Sequence, residues 1–156
     1  MIEVYDDLRG DARYSSAGEL ASICPESFTA HDRVVGVNGK AIDWNTWYTT
    51  WISRQGGPSD RMPTHLQVMA SDEFQATIPW PELAHAFLLV EQENGEPLKK
   101  GFPIRLYVPD GSSECLNVKS VVKIRILYEE KSEIEATYGF KNTVTAEQLR
   151  KPNPQN

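Results

Sequence analysis

Cysteine is scarce in this chain. Only Cys24 and Cys115 occur in 156 residues, and no CxxC is formed. Neither stands at zinc-ligand spacing from the three histidines, His31, His65 and His85. A zinc ribbon and a dithiol redox motif are therefore excluded, and a reduced compartment is expected; no local feature supports a disulfide between the two. Positive charge is in deficit as well. The formal net charge is −6 and the pI is near 5.1, which argues against a general nucleic-acid surface, since that needs a basic face. No apolar run approaches the ~20 residues of a membrane span, so no membrane insertion is expected. Glu3, Asp6 and Asp7 stand where a secretory signal would carry lysine and a greasy core. A cytoplasmic protein is the expectation. GxGxxG and P-loop strings are missing, and Gly36-Val37-Asn38-Gly39 reads as a turn, not a phosphate cradle.

What is present is an ordinary globular composition, 40% hydrophobic and 24% charged. The length suits one domain with a substantial core. Residues 1–15 read as a loosely held polar arm, and Ser16 to Ile23 as a short helix stopped by Pro25. Arg33 to Val37 reads as a short apolar strand entering an Asn38-Gly39 turn. Asp43 is a good helix N-cap, and Trp44, Trp47, Tyr48 and Trp51 then fall at i, i+3, i+4 and i+7. Such a stripe serves either as a stacking platform for a ligand or as core, and core is the reading taken. Gly56-Gly57-Pro58 ends the helix.

Further on, Leu66, Val68 and Ala70 alternate with polar residues, as do Phe74, Ala76 and Ile78; with Asp72 between them they predict a hairpin. Pro81 opens a short helix, and Phe87 to Val90 predicts a buried strand. Ile104, Leu106 and Val108 alternate with Arg105 and Tyr107. Val118 to Tyr128 predicts one last strand, with Lys119, Lys123 and Arg125 on its charged face. Residues 131–156 read as a polar extension with a disordered end. Strands mixed with short helices give an α+β class, mainly β, with the domain proper at 16–130.

The strongest string is Val90-Glu91-Gln92-Glu93-Asn94-Gly95-Glu96-Pro97-Leu98, followed by Gly101-Phe102-Pro103-Ile104-Arg105-Leu106-Tyr107-Val108-Pro109 and then Val118-Lys119. From Asp43 to Ile126 the order of elements resembles the molybdopterin-binding domain of the sulfite-oxidase family. The resemblance implies that family's fold, a mixed sheet with short helices. It also implies that Arg105, Lys119 and Lys123 are the candidate cofactor-binding residues, the arginine and the final-strand lysine gripping a pterin phosphate. A guanidinium forks two N–H donors onto a phosphate and a lysine adds a point charge.

Several positions depart from the family pattern. The strand that carries its metal-binding cysteine is matched here by Val34-Val35-Gly36-Val37, without a thiol. Cys24 lies upstream of it and Cys115 in a late loop. Lys100 replaces a histidine, Leu116 a lysine, and Glu73 a glycine. The resemblance with these departures implies a degenerate member without bound molybdenum, acting as a ligand-binding or interaction module with an anion site. Its partner would be an anionic small molecule or a protein. Two alternatives stand beside it. One is a molybdopterin-dependent oxidoreductase transferring an oxygen atom on a small oxo-acid or sulfoxide, with Cys24 or another group at the metal. The other is a partner subunit of a redox complex, docking through Trp80 or Phe102.

Overall fold

Two patterns of alternation become two β-sheets. The structure, a computed structural model, describes residues 1–57, 60–130 and 135–140. In chain order the strands are β1 (Ile2–Asp6), β2 (Gly10–Tyr14), β3 (Phe28–Thr29), β4 (Lys40–Asp43), β5 (His65–Ala70), β6 (Phe74–Pro79), β7 (Phe87–Glu91), β8 (Arg105–Tyr107), β9 (Val121–Leu127) and β10 (Thr137–Phe140). The helices are α1 (Ala17–Ala21) and α2 (Trp44–Gln55). The larger sheet runs β10-β6-β5-β9-β1-β2 and the smaller β3-β4-β7-β8. β1 and β9 pair in parallel and the other neighbours antiparallel, so the larger sheet is mixed.

One apolar cluster joins the inner faces of both sheets. Ile2 and Val4 of β1, Leu66 and Val68 of β5, Ile124 and Ile126 of β9, and Leu88 and Val90 of β7 all belong to it. The aromatic stripe of α2 fills its centre, as the core reading expects: Trp44, Trp47 and Trp51 are at most 1% exposed. Successive tryptophan rings stack at 5.7 and 5.9 Å, and Trp47 Nε1 donates to the Leu20 carbonyl at 2.8 Å. A second, smaller cluster covers the other side of β7, where Phe87 and Leu89 meet Ala30, Ala41 and Leu98. Both faces of β7 are thus covered, which explains its unbroken apolar run.

Asp43 caps α2 as its sequence position predicts. It accepts from Thr46 N at 2.9 Å and from Arg33 Nη1 at 2.8 Å. Burial pushes its carboxyl up, but the Arg33 guanidinium and the Thr46 N–H and hydroxyl outweigh that and hold it below its ordinary value. A folded pKa below the unfolded one gives stability that is present above the unfolded pKa and lost as pH falls through the folded one. Asp43→Asn should therefore lose less stability than the natural chain between about pH 5 and about pH 2. Thermal unfolding across that range checks this, and parallel profiles for the two proteins would contradict it.

Four expectations need correction. The polar arm of residues 1–15 is instead the β1–β2 hairpin, held because β1 pairs with β9 and buries Ile2 and Val4. Arg33 to Val37 is a turn rather than a strand; Val35 is 83% exposed, and the strand of this region is β4. The extension of residues 131–156 contributes β10, paired with β6; its expected disordered end lies outside the described residues. Finally, the long last strand is broken at Ser120, whose φ is 59°, and the pairing with β5 shifts register between Met69 and Ala70. That break separates Lys119 from Lys123.

A buried polar knot ties the N-terminal hairpin to the core. Asp6 accepts from Leu8 N at 2.9 Å and Arg9 N at 3.0 Å through one oxygen. The other accepts from Tyr48 Oη at 3.0 Å and Tyr128 Oη at 2.9 Å. Burial, the adjoining Tyr128 hydroxyl and the Asp6 charge push the Tyr48 hydroxyl far above its ordinary range, so it stays a donor.

Candidate functional site: a cationic corner at Gly101

The chain from 101 to 106 is laced to the chain from 118 to 121. Ser120 N donates to Gly101 O at 3.1 Å, Val121 N to Ile104 O at 2.9 Å, and Leu106 and Val118 exchange bonds of 2.8 and 3.0 Å. This lacing brings Arg105 and Lys119 to the same glycine. Gly101 has φ of 81°, and a Cβ there would meet Arg105 Cδ at 2.5 Å and Lys119 Cβ at 3.1 Å. Only a residue without a side chain lets the arginine stem lie across it. The guanidinium carbon rests 5.1 Å from the centre of the Tyr107 ring, a stacking geometry that arginine favours and lysine does not reproduce.

Lys99 and Lys100 precede this corner and are exposed. The ion pairs among the described residues involve none of Lys99, Lys100, Arg105 or Lys119. In a chain of net charge −6, this corner therefore gathers four cations that have no ion-paired acid among the described residues. Lys123 is not with them. It lies over the Tyr5 ring at 5.9 Å, on the outer face of the larger sheet beside Gln67 and Arg125.

Lys119 also lines a cavity of about 210 Å³ with Asp72, Phe74, Cys115, Asn117 and Phe140. The sequence pattern sets Cys115 aside as a loop residue on the wrong side of the motif, yet it shares this cavity with the lysine. The signal was its position four residues before Lys119. Cys24 is elsewhere: 4% exposed, with its thiol directed to the Glu26 carbonyl at 3.4 Å. Glu73 closes the turn beside Asp72 with φ of 71°, a conformation that glycine takes without cost.

The histidines stay apart. His31 Nδ1 accepts from Gly36 N, His65 meets the Thr64 hydroxyl, and His85 meets Asp110. Among the described residues no three His, Cys, Asp or Glu side chains are grouped to hold a metal ion. No helix among them is long and apolar enough to cross a membrane. Of the two proposed docking aromatics, Phe102 is 58% exposed beside the site, and Trp80 is half-buried against Trp44 and Tyr48.

The family model described as the oxidoreductase molybdopterin binding domain matches residues 29–135. Those residues include Gly101, Arg105, Cys115 and Lys119 and leave out Cys24. Neither the curated proteins nor the solved structures yield a match.

Proposed function

The chain belongs to the oxidoreductase molybdopterin-binding domain family, and from that premise we propose that it is a ligand-binding module working without molybdenum, with an anion site at Arg105 and Lys119. Its fold is the α+β, mainly β, mixed-sheet fold of that family. When bound, the family's molybdenum–pterin group supplies two-electron oxygen-atom transfer.

The residues present fit one end of that group and not the other. Arg105 and Lys119 suit a phosphate, since a guanidinium edge offers paired donors and the lysine adds charge. The metal end lacks its usual ligand. The strand that precedes α2 is β4, and neither it nor the 33–37 turn offers a thiol, whereas soft thiolate ligation is what that metal chemistry uses. Cys24 is packed in the core. The cavity at Lys119 holds about 210 Å³, below the ~300–1,000 Å³ of sites that enclose a cofactor-sized molecule. No reaction step is assigned to the chain's own residues on this reading.

The observation that carries the reading is the convergence of two cations on Gly101, neither of them ion-paired among the described residues. Calorimetric titration of the full chain with pyrophosphate tests it. Binding that survives Lys123→Ala and is weakened by Arg105→Ala is the expected result. Failure of pyrophosphate to bind at millimolar concentration would remove the anion site. A single observation favours the oxidoreductase alternative: the Cys115 thiol shares a cavity with Lys119. Elemental analysis for molybdenum separates the two readings.

A further inference from the structure

A second polar pocket lies apart from the Gly101 corner, and part of it comes from residues that precede the family match. The β1–β2 turn carries Arg9 against α2. Its side chain is only 10% exposed. All of its hydrogen bonds run through Nη1, which donates to Tyr128 Oη at 2.7 Å and reaches Tyr48 Oη at 3.5 Å. Among the described residues Nε and Nη2 make none. Those two N–H groups form the flat edge of the guanidinium that takes a carboxylate with two parallel bonds.

Nothing in the knot around Asp6 withholds that edge. The four lone-pair positions of the carboxylate are filled by Leu8 N, Arg9 N and the two tyrosine hydroxyls. Arg9 approaches Asp6 only to 3.9 Å. A guanidinium nine-tenths buried, with its fork unfilled, sits where folded proteins ordinarily place an acceptor.

Arg9 lines a cavity of about 430 Å³ together with Tyr48, Thr49, Ile52 and Trp80, with Asp60 and Arg61 also on its lining. That volume is in the range of small-molecule sites. Its aromatic wall is fixed rather than loose. Trp80 stands edge-on to Tyr48 at 5.1 Å and to Trp44 at 6.0 Å. Arg61 is engaged at Tyr128, with its guanidinium carbon 5.7 Å from the ring centre. The local charges are Arg9 and Arg61 against Asp6 and Asp60. That balance suits a ligand with one negative charge better than a doubly charged phosphate.

We propose that this cavity binds a small aromatic carboxylate, with the carboxylate on the Nε–Nη2 edge of Arg9 and the ring against Trp80. The site is separate from the anion corner at Arg105 and stands whether or not that corner binds phosphate.

Calorimetry on the full chain tests it, with indole-3-carboxylate as the probe and indole-3-carboxamide as its neutral counterpart. The carboxylate should bind at sub-millimolar concentration, and the amide about tenfold or more weaker. Arg9→Lys keeps the charge but loses the fork, and should weaken the carboxylate by a similar factor. Thr49→Trp fills the cavity from the exposed side of α2 without touching Asp6 or Arg9. It should abolish binding while the circular dichroism spectrum is unchanged, which keeps the test valid if Arg9→Lys does not fold. Arg105→Ala should leave the affinity as it was. Equal affinity for the two probes, no binding of the carboxylate, or full binding by Thr49→Trp would each overturn the proposal.

Discussion

Asp6→Ala is expected to lower the free energy of unfolding by about 3–5 kcal/mol, the cost of breaking a buried charged network from one side. The side chain of Asp6 is fully buried. Removing it leaves four donors, two backbone N–H groups and the hydroxyls of Tyr48 and Tyr128, without their acceptor. Each orphaned donor costs about 1–3 kcal/mol where water cannot reach it. Arg9 would also lose its nearest counter-charge. A domain is stable by only about 5–15 kcal/mol, so this one change removes a large share. Denaturant unfolding of the two proteins measures the difference. A loss below about 1 kcal/mol would mean that the hairpin is held by Ile2 and Val4 alone and that the knot adds little.

Gly101→Ala should abolish most of the anion affinity although glycine itself touches no ligand. Its new Cβ would stand 2.5 Å from Arg105 Cδ, well inside the ~3.5–4.0 Å at which non-bonded carbons pack. The arginine stem must swing away from Gly101 and Lys119 Cβ, and its guanidinium leaves the Tyr107 ring. A charged hydrogen bond is worth about 1.5–3 kcal/mol, so pyrophosphate affinity should fall by roughly tenfold to a hundredfold. Arg105→Ala should produce the same loss directly. Gly101→Ala carries a further stability cost of about 1–2 kcal/mol, because alanine resists a φ of 81°. Unchanged affinity in Gly101→Ala, with the fold intact, would show that Arg105 does not hold the anion.

Periodicity revealed those parts of the fold whose two faces differ. The α2 stripe, the β5–β6 hairpin and the alternation of β8 all stand where their patterns predict. β1 was hidden because Ile2, Val4 and Asp6 point inward while Glu3 and Tyr5 point out. Asp6 makes a buried position look exposed, and its partners Tyr48 and Tyr128 are distant in sequence. The segment 33–37 misled in the opposite sense. Three valines suggest a strand, yet the chain turns there, and Val35 is left in solvent.

The candidate site was legible in its residues and not in its grouping. Arg105 and Lys119 are brought together by bonds between 101–106 and 118–121, which no local pattern announces. Lys123 falls away because Ser120 breaks the strand, and a serine at positive φ leaves no clear mark in sequence. Cys115 joins the cavity for the same reason of distant packing. The Arg9 cavity was out of reach altogether, since it draws on β1–β2, α2 and the Trp80 turn.

The most direct test of the central claim is the molybdenum content of the protein purified from a host able to make the cofactor, by elemental mass spectrometry. A module that works without the metal predicts molybdenum far below one atom per chain. A near-stoichiometric content, lost in Cys115→Ser, would contradict it and make this chain a molybdenum oxidoreductase with its thiol ligand in the late loop.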